Sequence, residues 1–233
     1  MALTLTLFGS FQAHNANKPL SFATNATRVL LAYLAVEADR PQSREQLAAL
    51  LWPDVPQAAA FANLRQTLAR LRKALPDSAD ALLQTTQETI HLKHEAITVD
   101  VVRFEELLAE CALHSHADVT HCPECMAHMQ YATALYQGEF LHGLSLEHSQ
   151  PFEEWLLFKR EELHHLALDA LTTLTRHCET NADYEAMRVY AKRQLVLDPW
   201  CEEAHEQLMR ALANLGERAA ALTQSSWCRR TIT

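Results

Sequence analysis

Thirteen histidines and six cysteines are spread through 233 residues, and one stretch, 111–128, gathers seven of them. Cys111-x2-His114 and Cys122-x2-Cys125 form two pairs separated by seven residues, with His116, His121 and His128 as spare ligands. Two ligands held two residues apart reach one tetrahedral ion from a single turn, and a Cys3His set suits zinc. With four protein ligands and no obvious general base beside them, such an ion would be structural. The other reading is a helix-terminal Cys111, a Cys122–Cys125 pair without a role, and surface histidines in a His-rich chain. The residues alone leave both standing, so no cofactor is required and structural zinc is the one candidate.

Catalytic patterns have little to stand on. The sequence holds no HExxH, no GxSxG around Ser145 and no phosphate loop of the GxxxxGK type. Glu153-Glu154 and Glu161-Glu162 read as a solvated helix face, Trp155, Phe158, Leu163 and Leu166 as packing residues, and His164 and His165 as surface or partly buried. The chain is not expected to be an enzyme.

A second kind of chemistry lies in the charge distribution. The net charge of −9 argues against nucleic acid only when taken over the whole chain. Residues 1–102 carry nine Lys/Arg against nine Asp/Glu, whereas residues 103–233 carry eleven against twenty. Within the neutral half, residues 55–75 contain Arg65, Arg70, Arg72 and Lys73 and no carboxylate. Phe61, Leu64, Leu68, Leu71 and Leu75 in the same stretch share an apolar arc of about 80° at helical spacing. The opposite arc holds Asn63, Arg65, Gln66, Arg70, Arg72 and Lys73, with the small Ala62 and Ala69 between them. The cations can offset phosphate charge, Asn63 and Gln66 can read adenine edges, and Arg65 or Arg70 can read guanine. A solvated amphipathic helix on a protein-only module is the plainer alternative.

The elements that would position this helix follow from periodicity. Leu3, Leu5 and Leu7 alternate with Thr4 and Thr6, the pattern of a half-buried strand in a small sheet broken near Gly9. Val29, Leu30, Tyr33, Leu34 and Ala38 predict a helix capped by Asn25 or Thr27 and ended before Pro41. Ser43 with Gln46 is a capping-box signature for a short helix stopped at Trp52-Pro53. The basic helix then spans about 57–75. Residues 82–92 read as a hairpin with a polar tip at Thr86-Gln87-Glu88, and 97–99 as another strand. Asp100 caps a helix built on Phe104, Leu107, Leu108 and Cys111. Further helices are expected at about 126–137, at 151–178, at 184–197 capped by Asp183, from Pro199 to Leu215 capped by Asp198, and from Glu217. These resemble stacked antiparallel helix pairs.

Strand, helix, short helix, long basic helix, hairpin is the order of a winged helix, whose third helix enters the major groove. The sequence resembles the bacterial transcriptional activator domain proteins related to the antibiotic-regulatory-protein (SARP) family. The match lies in Leu5-Thr6-Leu7-Phe8-Gly9, Leu47-Ala48-Ala49-Leu50-Leu51-Trp52-Pro53, Asn63-Leu64-Arg65-Gln66 and Leu71-Arg72-Lys73-Ala74-Leu75. It continues in Val99-Asp100-Val101 with Phe104, Tyr136-Gln137-Gly138-Glu139-Phe140-Leu141, Leu197-Asp198-Pro199-Trp200 and Glu203-Ala204-His205, and covers about residues 3–224. In place of the family's Tyr-Glu-x-Cys-Arg-Arg helix stands Ser225-Ser226-Trp227-Cys228-Arg229-Arg230. The resemblance implies a winged helix followed by a helical, tetratricopeptide-like activator domain.

The expectation is therefore a mainly α protein: a winged helix-turn-helix domain over 1–102 and an all-α tetratricopeptide-like domain over 103–233. Its function would be sequence-specific transcriptional regulation, with double-stranded DNA as partner and RNA polymerase or a second copy bound through the helical domain. The competing reading is a protein-interaction scaffold whose winged helix no longer binds DNA. Residues 1–7 lack the basic start and cleavage site of a secretory signal, and no apolar run is long enough for a membrane span. A cytoplasmic protein with no membrane or nucleotide partner is expected.

Overall fold

The structure, a computed structural model, describes residues 3–75, 82–93, 97–115 and 118–232. The chain divides into two compact units, Met1–Arg103 with Gln137–Glu161, and Phe104–Tyr136 with Glu162–Thr233. The first break falls after Arg103, whereas the expected partition is a single cut after residue 102. It does not anticipate that residues 137–161 pack with the N-terminal unit.

The first part of the chain forms β1 (Leu3–Thr6), β2 (Gln12–Asn15), β3 (Lys18–Pro19), α1 (Asn25–Val36), β4 (Gln42–Ser43), α2 (Arg44–Leu51), α3 (Gln57–Ala74), β5 (Leu83–Thr85), β6 (Thr89–Leu92) and β7 (Ile97–Val99). There follow α4 (Asp100–Leu113), a 3-10 turn (Val119–His121), α5 (Pro123–Leu135), α6 (Gln150–Thr180), α7 (Tyr184–Leu197), α8 (Glu202–Asn214) and α9 (Arg218–Ile232). The protein is mainly helical, as expected, and no helix among the described residues is long and apolar enough to cross a membrane.

In the N-terminal unit, β1 lies antiparallel to β2 and parallel to β7 in a four-stranded sheet ordered β3-β2-β1-β7. Leu3 and Leu5 of β1 are buried. A second sheet, ordered β4-β6-β5, joins the segment before α2 to the hairpin. Helices α1, α2 and α3 pack on one another, with Leu30, Leu34, Leu47, Leu51, Leu64 and Leu71 fully buried. The Ser43 hydroxyl caps α2, accepting from the Gln46 N–H at 3.2 Å. The α1 cap is Thr24 rather than Asn25 or Thr27: its hydroxyl accepts from the Thr27 N–H, while Thr27 is buried inside the first turn. A buried side chain one turn in cannot serve as the exposed cap.

Residues 137–161 complete this unit. The Leu141 N–H donates to the Leu7 carbonyl at 2.8 Å and the Gly9 N–H to the Glu139 carbonyl at 3.0 Å, continuing the pairing beyond the end of β1 by an antiparallel bridge between Phe8 and Phe140. Gly9 turns at φ +85°, and a side chain on Gly138 would meet the Gly9 backbone at 3.5 Å. Ser149, buried, caps the first turn of α6 at Phe152 and donates to the Leu50 carbonyl. Trp155 packs among Tyr33, Phe140 and Phe152 and donates its indole N–H to Glu37 at 2.9 Å. Leu163 is buried, but Phe158, expected to pack, is 73% exposed: its helix already presents Phe152 and Leu156 to the core from another face.

In the helical unit, α7 packs on α8 and α8 on α9. A buried polar chain links its helices. The Thr172 hydroxyl donates to Gln194 Oε1 at 3.0 Å, and Gln194 Nε2 donates to the Thr175 hydroxyl at 2.7 Å. Asp183 caps α7 at the Ala186 N–H, as expected. Helix α8 starts later than the predicted Pro199, because the Asp198 carboxylate accepts from the Trp200 N–H at 3.0 Å and closes a turn first. That is the local competition by which Asp diverts a backbone from helix to turn. His205 is fully buried, with Nε2 at 3.0 Å from the Pro199 carbonyl and its ring against Trp227.

Candidate nucleic-acid interface

The sequence of α3 dictates which of its faces stays outside. Ala60, Leu64, Thr67, Leu68 and Leu71 are buried. At 100° per residue the outward arc of about 180° reads, from rim to rim, Arg72, Arg65, Ala69, Ala62, Lys73, Gln66, Arg70, Asn63. Arg65, Gln66, Arg70, Arg72 and Lys73 are exposed, and so are Ala62 and Ala69 along the middle of the arc. All six predicted contact residues thus fall on one face. Two of them differ from the expectation of an open cation or base reader. Asn63, at one rim, is half-buried. At the other rim, Arg72 donates to the Thr85 hydroxyl at 2.6 Å and so ties α3 to the hairpin. Arg70 and Lys73 border an open cleft of about 500 Å³, whose other wall is Pro19, Leu20, Ser21 and Ala23.

A further guanidinium, not singled out by composition, holds the same hairpin. Arg44, first residue of α2, donates from Nε to the Thr86 carbonyl at 3.0 Å, and its backbone N–H donates to the Glu88 carbonyl at 2.9 Å. Arg44 and Arg72 therefore clamp adjacent hairpin residues from two helices. Pairing across 42 residues leaves no local pattern by which Arg44 could have been found. The tip itself is polar and exposed, with the Thr86 hydroxyl accepting from the Thr89 N–H at 2.9 Å.

The Cys/His stretch lies in the helical unit. Three of its four predicted ligands converge: His114 Nδ1 is 3.5 Å from Cys122 Sγ and 3.4 Å from Cys125 Sγ, and the three ligand atoms all lie within 4.8 Å of one another. Cys111 stands outside that group, its thiol donating to the Cys125 carbonyl at 3.7 Å. The spare ligands are not drawn in. His121 Nδ1 is 3.2 Å from Asp118, His128 Nδ1 is 3.4 Å from Glu110, and His116 lies outside the described residues. The backbone N–H of Cys125 lowers the Cys122 thiol below its ordinary range, whereas burial pushes Cys125 up to about 12 and raises Cys111.

Two helices leading to a third whose outer face carries only cations and neutral groups, followed by a clamped hairpin, define a winged helix, here joined to a helical domain. Residues 99–233 match the model of the bacterial transcriptional activator domain family, and the chain belongs to that family, whose members are transcriptional regulators rather than enzymes. No curated protein matches the chain. Among solved structures it resembles Mycobacterium tuberculosis EmbR in complex with a low-affinity phosphopeptide, with a TM-score of 0.72 and 21% identity. The likeness covers 99% of this chain and 59% of that one. At that identity it carries the fold.

Proposed function

We propose that this chain is a sequence-specific DNA-binding transcription regulator that lays α3 in the major groove with the hairpin along the backbone. The observation that carries the reading is the acid-free outer arc of α3, on which Arg65, Gln66, Arg70 and Lys73 are exposed together beside two exposed alanines. The alanines admit close approach of the helix backbone. Gln66, near the middle of the arc, is the base reader, with Asn63 reaching adenine edges from the rim. Arg65, Arg70 and Lys73 meet phosphates or guanine, and Arg72 fixes the hairpin while lending its charge. The helical half, with its twenty carboxylates against eleven cations, is repelled by phosphate and instead holds RNA polymerase or a second copy of the chain.

The test is selection of bound duplexes from a random pool by the full chain, followed by anisotropy titrations at several salt concentrations. Each phosphate contact removed lowers the log-log salt slope by roughly 0.9. Arg65→Ala with Arg70→Ala weakens binding and flattens that slope, while Gln66→Ala relaxes base choice more than affinity. A double variant that binds the selected duplex as tightly as wild type overturns the docking. Failure to enrich any duplex would leave the scaffold reading in its place.

A further inference from the structure

We propose that the helical unit carries a structural zinc site, built from Cys122, Cys125 and His114 with Cys111 as the fourth ligand. The argument rests on the spacing of ligand atoms. A tetrahedral ion with Zn–S of about 2.3 Å and Zn–N of about 2.0 Å sets its N···S edges at about 3.5 Å. His114 Nδ1 stands 3.5 Å from one sulfur and 3.4 Å from the other. Hydrogen bonding accounts for one such contact and not for two. An imidazole nitrogen has a single in-plane direction, in which it either accepts or donates one bond. Two thiols converging on one nitrogen surround a point that an ion would fill.

The local backbone supports the same arrangement. Cys122 is the N-cap of α5, with Pro123 after it. Cys125 follows within the first turn of α5, and His114 comes directly after α4 ends at Leu113. The four residues come from two helix ends that no disulfide joins. Cys111 is buried within one turn of His114, and its sulfur already lies against the Cys125 carbonyl. The Cys111 thiol is also within hydrogen-bonding reach of the Cys125 thiol, one of the three converging ligands. The exposed Glu124, whose carboxylate is 3.9 Å from His114 Nδ1, is left as a neighbour of the site. Metal bound here joins the end of α4 to the start of α5, a junction also spanned by the Cys111 thiol on the Cys125 carbonyl and by His128 Nδ1 at 3.4 Å from Glu110.

The experiment titrates the full chain, reduced and stripped of metal, with cobalt(II) alone under nitrogen, and then displaces it with zinc. The expected result is one cobalt per chain with the intense visible bands of a tetrahedral thiolate site, lost on adding one equivalent of zinc. Zinc should also raise the melting temperature, since the folded chain gathers the ligands and binds it more tightly than the unfolded one. Cys122→Ser and Cys125→Ser each abolish the bands. Serine is a strong N-cap, so Cys122→Ser keeps the start of α5, and circular dichroism checks that it does. Cys111→Ser shifts the bands and weakens cobalt binding at least tenfold, and Cys201→Ala changes neither. Absence of tetrahedral bands in the wild type, or bands that survive the Cys122→Ser, Cys125→Ser double variant, overturns the site. A Cys111→Ser spectrum identical to wild type overturns the fourth ligand.

Discussion

Asp100 does more than begin a helix. Its carboxylate accepts from the Leu7 N–H at 2.9 Å, the Phe8 N–H at 3.0 Å and the Val101 N–H at 2.8 Å, closing the end of β1 onto the start of α4. Burial nevertheless outweighs these donors and raises the carboxyl above its ordinary range. A group raised in the folded state adds stability below its unfolded value and loses it as pH climbs through the folded one. From about pH 4, the ordinary value for an aspartate, toward neutrality, the stability advantage of wild type over Asp100→Asn should therefore shrink. Urea denaturation at a series of pH values reads the slope, and an advantage that grows with pH contradicts it. That a helix begins at Asp100 was legible from residue type. Its second set of donors, more than ninety positions away, was not.

Two helix ends use the same device with different residues. At the end of α8, Gly216 takes φ +81°, the Gly216 N–H donates to the Ala213 carbonyl and the Glu217 N–H to Leu212 at 2.9 Å. This double bond satisfies two orphan carbonyls, and glycine adopts the left-handed position without cost. At the end of α6 the same pair of bonds runs from Ala182 to Glu179 and from Asp183 to Cys178, but the left-handed position is Ala182, at φ 55°. An L side chain there costs roughly 1–2 kcal/mol, part of which glycine gives back through the entropy of the unfolded chain. Ala182→Gly should raise stability by about 0.5–1 kcal/mol, read as a higher urea midpoint with an unchanged slope. A lower midpoint would mean that the Ala182 side chain is better accommodated than its backbone angle implies. Gly216 announces its helix end in the sequence; Ala182 does not, because alanine ordinarily extends a helix.

At the scale of the molecule, the N-terminal unit is discontinuous in sequence. A fragment ending at Arg103 loses the Phe8–Phe140 bridge, the Ser149 bond to Leu50 and the Trp155 cluster, and it uncovers Leu7 and Phe8, which are buried in the full chain. Such a fragment should melt at least about 5 °C below the corresponding transition of the full chain, since about 1 kcal/mol lost shifts a domain of this size by that much. Supplying residues 137–161 through a linker after Arg103 should restore the difference. A fragment of residues 1–103 with the same melting temperature as the full chain contradicts this account of the packing.

Periodicity and residue type by themselves determined the run of helices, the hairpin, the Ser43 and Asp183 caps and the composition of the outer face of α3. Each follows from side chains a turn or less apart, where neighbours along the chain are neighbours in space. The Cys122–Cys125 pair was visible for the same reason. Only the tertiary structure decided that Arg72 and Arg44 hold the hairpin, that His114 meets both thiols while Cys111 faces a carbonyl, and that residues 137–161 belong with β1. Those outcomes depend on which surfaces packing brings together across tens of residues, and a pattern with a period of two or 3.6 residues carries no record of it.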